Sequence, residues 1–159
     1  RDLASSPVLI AGAAEGLAAG DGGDRFRRPR DLWTSAGLAG VARDLYARAS
    51  IYWQATGLGE DPERDPDRLE HFGIATVEAM SAGAVPVVIG LAGQLEIVQQ
   101  GVSGFHFATL DELVERTEAV VADDELRAKL SEGAETRARD FSVEAFTERF
   151  GAVVDSLGD

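Results

Sequence analysis

Short apolar runs alternate with helical spacings along most of the chain. Apolar or β-branched runs predict strands over 7–11, 50–54, 85–89 and 104–107. Apolar positions at helical spacing predict helices between them, over 41–49, 74–82 and 94–100. This alternation predicts an α/β fold with a Rossmann-like, doubly wound and mostly parallel sheet covered by helices on both faces.

From residue 109 onward the pattern is helical. Thr109 and Glu112 form a capping box that begins a first helix. Either Asp123 or Asp124 can begin a second helix, and Ser142 can begin a third. The third helix carries an apolar stripe made of Val143, Phe146, Phe150, Val153, Val154 and Leu157.

Two polar segments interrupt the pattern. Residues 20–30 are Gly-rich and then basic, which predicts a solvated loop whose Arg side chains could also contact an anionic acceptor. Residues 57–69 contain two Gly, two Pro and seven charged residues, which predicts an exposed loop. The second loop directly precedes Glu70 and either gates a site there or is a variable insertion.

The composition narrows the possible partners. With 15 basic and 28 acidic residues, the net charge is 15 − 28 = −13, which argues against binding to nucleic acid or to an anionic membrane surface. The absence of Cys excludes disulfides and Cys-ligated metals, and His71 and His106 are too far apart to suggest a metal pair. The chain begins at Arg1 and its only Met is Met80, which is typical of a piece of a longer polypeptide, and its Ala, Gly and Arg content favours a bacterial source.

A single charged residue stands out in the most apolar part of the chain. Glu78 is the only Asp, Glu, Lys or Arg among the 25 residues between Glu70 and Glu96. A carboxylate in such a helix must face water, a partner or a ligand, because burying it unpaired would cost several kcal/mol. An exposed stripe and a ligand site both remain open.

Two glycine-containing turns precede predicted helices, at 71–73 and at 90–93. Helix N-termini present free N–H groups and a positive dipole end, which suit phosphate. Such turns lie side by side at the carboxyl ends of parallel strands, where ligands bind in doubly wound sheets. Each turn taken alone is equally compatible with a simple tight turn.

The stretch from Glu70 to Gly104 resembles the nucleotide-sugar-binding half of family 4 glycosyltransferases, which are retaining enzymes of the GT-B fold. The shared features are two Glu separated by seven residues, with Phe72-Gly73 after the first, and the later segments 83–88, 93–98 and 101–104. The resemblance extends over residues 7–157. It implies that residues 1–159 are a nucleotide-sugar-binding domain fragment of an enzyme whose N-terminal acceptor domain is absent from this chain.

The resemblance also implies a set of site residues. Glu70 is the implied catalytic residue beside the transferred sugar, where it holds donor hydroxyls or stabilises positive character at the anomeric carbon. Glu78 would accept hydrogen bonds from the ribose hydroxyls. The full implied donor-binding set is His71, Phe72, Gly73, Ile74, Glu78, Gly93, Gln94 and Glu96. The donor would be a nucleotide-diphosphate sugar, without a metal or other cofactor, and the acceptor is unknown. The implied location is cytoplasmic, either free or peripheral at the inner membrane face.

The sequence departs from the family pattern at several points. Ala92 replaces the first Gly of a Gly pair, and Leu95 stands where Pro is frequent. The family's first strand and its diphosphate-gripping Arg and Lys are expected before Arg1, because residues 7–11 match the next strand. In the order 3-2-1-4-5-6 the first strand is central, so a gap in the sheet is expected unless another segment fills it.

Three functions remain open at this stage. The first is the donor-binding domain of a glycosyltransferase, inactive as a fragment. The second is a non-catalytic nucleotide-sensing or scaffolding module with the same fold. The third is a GT-B-like sugar-nucleotide epimerase, for which the sequence offers no matching set of catalytic carboxylates and His.

Overall fold

The computed structural model describes residues 8–11 and 45–157. The strands are β1 (Val8–Ala11), β2 (Ile51–Gln54), β3 (Val85–Ile89) and β4 (Phe105–Phe107). The helices are α1 (Ile74–Ser81), α2 (Gly93–Ile97), α3 (Leu110–Ala122), α4 (Asp124–Ala138) and α5 (Val143–Ser156), with 3-10 turns at Pro66–Arg68 and Arg139–Phe141. Residues 45–48 are also helical. The loop predicted at 20–30 and the beginning of the helix predicted at 41–49 lie outside the described residues.

The four strands form one parallel sheet in the order β1-β2-β3-β4. Val8 pairs with Ile51, and Ile51 pairs in turn with Val85 on its other side. The predicted gap in the sheet is therefore wrong, because β1 lies directly beside β2. The sequence of a short apolar strand does not indicate which strand will pair with it. A parallel crossover needs about a dozen residues, so the 39 residues between β1 and β2 are enough to connect these two strands.

One face of the sheet packs against α3. Ile51, Val87 and Phe107 are buried there together with Leu113 and Val120 of α3. All five residues of β3 are buried, because helices cover both of its faces. The continuous apolar run over 85–89 is the sequence signature of this arrangement.

The opposite face packs against α1 and α4. Met80 of α1 and Val88 of β3 are buried with Ala134 and Ala138 of α4. Leu130 of α4 belongs to the core on the other face. Helices thus cover both faces of the sheet, and the predicted α/β architecture is confirmed.

The helix starts follow the predicted caps. The hydroxyl of Thr109 accepts a hydrogen bond from the Glu112 N–H at 3.2 Å. The carboxylate of Asp123, rather than that of Asp124, begins α4 with hydrogen bonds of 3.0 Å. Ser142 begins α5 by accepting a bond of 3.1 Å from a backbone N–H. These caps are local interactions, which is why the sequence predicts them.

Helix α2 is shorter than predicted. It ends at Ile97 instead of Gln100, and Val98 is already extended with φ −93° and ψ 125°. With this extended backbone at Val98, the side chains of Ile97 and Val98 are both buried in the core. Periodicity alone cannot register such a turn.

The apolar stripe of α5 is exposed in the described part of the chain. No residue of this helix is buried, and Phe146 and Phe150 stack on each other with ring centroids 5.8 Å apart. Within residues 8–11 and 45–157, no helix has the length and apolar character needed to cross a membrane.

The buried phenol of Tyr52 predicts an alkaline loss of stability. Burial raises the pKa of Tyr52 well above its usual range, so the folded state keeps the proton after the unfolded chain has lost it. The contribution of Tyr52 to the free energy of unfolding is therefore fully present below about pH 10. Above that pH it falls, with a limiting slope of about 1.4 kcal/mol per pH unit. We expect Tyr52→Phe to remove most of this slope in urea unfolding between pH 8 and 11.

The half-buried Tyr46 provides the comparison, because burial and then the charge of Glu78 raise its pKa less strongly. Tyr46→Phe should flatten the pH profile to a smaller extent. If wild type and Tyr52→Phe had the same pH dependence of unfolding free energy, Tyr52 would not be the source of the alkaline loss of stability.

Candidate functional site

Two turns meet at one edge of the sheet. The first turn comprises residues 70–73 before α1, and the second comprises residues 90–93 between β3 and α2. The Gly93 N–H donates a hydrogen bond of 3.1 Å to the carbonyl oxygen of Glu70. The expectation that the two turns lie side by side is confirmed.

The contact between the turns requires glycine at position 93. A Cβ built there would overlap the carbonyl oxygen of His71 and lie 2.6 Å from its carbonyl carbon and 2.9 Å from the Cα of Phe72. These are backbone atoms, which cannot rotate away as a side chain could. Gly93 therefore sets how closely the two turns approach.

A buried polar bridge lies behind this contact. Gln94 and Thr76 are both fully buried, and the Thr76 hydroxyl donates a hydrogen bond of 3.0 Å to Oε1 of Gln94. Nε2 of Gln94 has no hydrogen-bond partner among the described residues, and it lies where a Cβ on Gly73 would overlap it. Nε2 of His106 lies 3.3 Å from the carbonyl oxygen of Gln94. The sequence prediction included Gln94 but not Thr76, and it gave His106 a local hydrogen-bonding or packing role, which this contact fits.

The first turn ends in an uncapped helix N-terminus. Gly73 has a left-handed backbone, with φ 94° and ψ 52°, and no side chain caps α1 there. The first turn of α1 also contains no acidic residue. The positive end of the helix dipole is thus not neutralised locally, which suits an anionic ligand. Phe72 and Ile74 beside it are both exposed apolar side chains.

The two predicted carboxylates differ in their surroundings. Glu70 is half-buried at the start of the first turn, whereas Glu78 is exposed on α1, one helical turn after Ile74. None of the ion pairs within residues 45–157 includes either carboxylate. Glu78 therefore lies on an exposed stripe and is also free to accept hydrogen bonds from a ligand.

The structure brings most, but not all, of the predicted set together. Glu70, His71, Phe72 and Gly73 meet Gly93 and Gln94 at the contact between the turns. Ile74 and Glu78 follow on α1, and Glu96 is exposed on α2, where its backbone carbonyl accepts a hydrogen bond from Arg137. Their roles in binding remain predictions.

The second turn contains a strained residue. Ala92 has φ 46° and ψ −131°, and it is the one non-glycine residue with positive φ among those described. This backbone conformation suits glycine and is costly for any residue with a Cβ. Alanine at this position, where the resemblance leads us to expect glycine, therefore strains the backbone of the second turn.

The family follows from the comparison of residues 43–137, which match the model described as Glycosyl transferases group 1. This match covers more than half of the chain, and the chain belongs to that family. The described α/β fold is that of GT-B glycosyltransferases.

Two curated relatives and one solved structure illustrate the similarity. The chain is 32% identical over 100 residues to sucrose synthase from Acidithiobacillus caldus, covering 58% of this chain and 13% of the relative. It is 35% identical over 82 residues to GDP-Man:Man(3)GlcNAc(2)-PP-Dol alpha-1,2-mannosyltransferase from Dictyostelium discoideum, covering 51% and 16%. The crystal structure of Anabaena Alr3699/HepE in complex with UDP aligns with a TM-score of 0.58 and 25% identity, covering 70% of this chain and 29% of that one. The chain thus spans less than a fifth of the curated relatives' length.

Adding a methyl group at the contact should separate the turns. We expect Gly93→Ala to cost about 1–3 kcal/mol of unfolding free energy, since backbone must shift to accommodate the Cβ. Gly151→Ala is the matched control, because a Cβ there meets nothing within 4 Å and alanine favours the helix. Equal unfolding free energies for the two variants in urea titrations would contradict the role of Gly93.

Relieving the strain in the second turn should stabilise the protein. We expect Ala92→Gly to raise the unfolding free energy by about 1 kcal/mol, the strain released minus the entropic cost of glycine. Ala82→Gly serves as control, since Ala82 is also exposed but has φ −92°, and it should lose about 0.5–1 kcal/mol instead. Thermal or urea unfolding would measure both, and a loss for Ala92→Gly would exclude strain at this position.

Proposed function

We propose that residues 1–159 are the donor-binding part of a retaining glycosyltransferase that transfers a sugar from a nucleotide-diphosphate sugar to an acceptor. The observation that carries this proposal is the backbone contact between the two turns, with Glu70 and the uncapped N-terminus of α1 beside it. Membership of the glycosyltransferase group 1 family supports the reaction class. The whole enzyme's acceptor domain would lie outside this chain.

The first turn would hold the diphosphate. Backbone N–H groups at the start of α1 point toward the first turn, and the helix dipole favours negative charge there. The chain's net charge of −13 does not oppose this, because the local field at a helix terminus is set by groups within one turn. We expect metal-independent binding, with basic side chains from the rest of the enzyme completing the site.

Glu78 would recognise the ribose. Its two carboxylate oxygens can accept one hydrogen bond from each of two neighbouring hydroxyl groups. The carboxylate is exposed and makes no ion pair with another described residue, so it loses no protein partner when a nucleotide binds. Hydrogen bonds to a charged acceptor are the stronger kind, at about 1.5–3 kcal/mol each.

Glu70 would lie beside the transferred sugar. In the reaction the bond between the anomeric carbon and the diphosphate oxygen breaks, and its electron pair leaves with the diphosphate. The acceptor oxygen forms the new bond to that carbon with retention, and its proton is released. A carboxylate near the anomeric carbon either holds donor hydroxyls or stabilises the positive character that develops there.

A solved neighbour supports the choice of ligand. Anabaena Alr3699/HepE was crystallised with UDP and with UDP-glucose. We extend only the ligand class, a nucleotide diphosphate with or without sugar, to this chain. A cytoplasmic location belongs to the same proposal.

Calorimetric titration tests the role of Glu78 in the full-length protein. UDP, GDP and ADP are titrated first to find the preferred base. We expect Glu78→Ala to weaken binding of the preferred nucleotide by about 100-fold or more, because both hydrogen bonds to ribose are lost. Removing both ribose hydroxyls from the ligand should weaken wild type to a similar extent and leave Glu78→Ala almost unaffected.

Glu115→Ala provides the control, since Glu115 is an exposed carboxylate on α3, which packs on the face of the sheet opposite to α1. Its affinity should equal that of wild type. Unchanged affinity in Glu78→Ala would reject the ribose assignment. Nucleotide binding without transfer to any acceptor would favour a sensing module instead.

A further inference from the structure

Arg137 and Phe141 form a small cluster behind the two turns. Arg137 lies near the end of α4, and Phe141 lies in the 3-10 turn that follows. The guanidinium carbon of Arg137 lies 4.7 Å from the centroid of the Phe141 ring. Asp140 fixes the guanidinium from the other side through an ion pair of 2.7 Å. The ring contact and the ion pair thus orient the guanidinium within one short segment, residues 137–141.

The guanidinium lies at the C-terminal end of helix α2. Nε of Arg137 donates a hydrogen bond of 3.1 Å to the carbonyl oxygen of Ile97, and Nη2 donates another to the carbonyl oxygen of Glu96. These carbonyls belong to the last residues of a five-residue helix. Such a short helix has little stability of its own, so a cation on its final carbonyls has a large share in holding it.

The ring of Phe141 supports the first turn. It meets Phe72 edge to face, with ring centroids 5.9 Å apart. Phe72 lies between Glu70 and Gly73 and is about half exposed, and Phe141 packs against its ring. The same cluster thus contacts the first turn through a ring and α2 through a guanidinium.

We infer that Arg137 and Phe141 are positioning residues for sugar transfer: together they hold the first turn and α2 in the relative orientation that the reaction needs. This inference rests on the proposed function. Neither side chain has to touch the donor, because each acts through Phe72 or through α2. The contacts reach the Glu70 turn and α2, whereas Glu78 lies farther along α1 and is not among the hydrogen-bond or ion-pair partners of Arg137.

This arrangement predicts that turnover and nucleotide binding separate. In the full-length protein, Arg137→Lys keeps the charge but replaces three separate donor nitrogens with one ammonium nitrogen, which does not reproduce the spread of the guanidinium. Phe141→Leu keeps an apolar side chain but loses the ring contacts. We expect either variant to lower kcat about 10- to 100-fold, as a displacement of about 1 Å can do. The affinity for the nucleotide diphosphate should fall by only about 3-fold, because the first turn loses part of its hold on the diphosphate while Glu78 still binds the ribose.

Two variants serve as controls. Arg127 lies near the beginning of the same helix and forms an ion pair of 2.8 Å with Asp124, so Arg127→Lys should retain wild-type kcat. Phe141→Tyr keeps the ring and should therefore retain most of the wild-type activity, in contrast to Phe141→Leu. A kcat within 2-fold of the Arg127→Lys control in both positioning variants would overturn the inference. So would a loss of nucleotide affinity as large as the loss of kcat.

Hydrogen exchange tests the same contacts without any substrate. We expect amides in residues 93–97 to exchange about 10-fold faster in Arg137→Lys and Phe141→Leu than in Arg127→Lys, because opening of α2 and of the hydrogen bond from Gly93 to Glu70 becomes easier. Equal exchange in all three variants would overturn the inference even where a substrate assay fails. Failure of the wild type to bind any nucleotide diphosphate would instead reject the proposed function, and the exchange experiment would still decide whether the contacts hold the turns.

Discussion

The close approach of Gly93 to the first turn is the contact on which the candidate site depends. At this point one backbone lies against another so tightly that a single methyl group would overlap a carbonyl. The approach places the uncapped N-terminus of α1 next to the beginning of α2 and brings Glu70 to the same edge of the sheet. Without it, the turns would be two separate features of an ordinary α/β fold.

Two unfavourable features of the described structure lie at this contact. Ala92 has a backbone conformation that suits glycine, and Nε2 of Gln94 is a buried donor with no partner among the described residues. Such costs persist only where the surrounding packing enforces them, and they gather at functional sites more often than elsewhere. The cores on the two faces of the sheet supply that packing.

Helix α4 connects the cores to the site. Leu130 packs into the core on one face, and Ala134 packs into the core on the other. A turn further on, Arg137 reaches α2, and the chain then places Phe141 against Phe72. A helix that looks like a distant C-terminal element in the sequence is therefore part of the support of the first turn.

The sequence by itself determined the features that depend on nearby residues. The run 85–89 and the caps at Thr109, Asp123 and Ser142 were predicted because strand burial and capping are local. The motif from Glu70 to Glu78 likewise identified the family and the candidate carboxylates. Only the tertiary structure decided which strand lies beside β2, where α2 ends, and which side chains stand behind the turns. The bonds from Thr76 to Gln94 and from Arg137 to Ile97 join residues 18 and 40 positions apart. No periodicity or local motif encodes contacts of that separation, because they exist only once the sheet has brought its helices together.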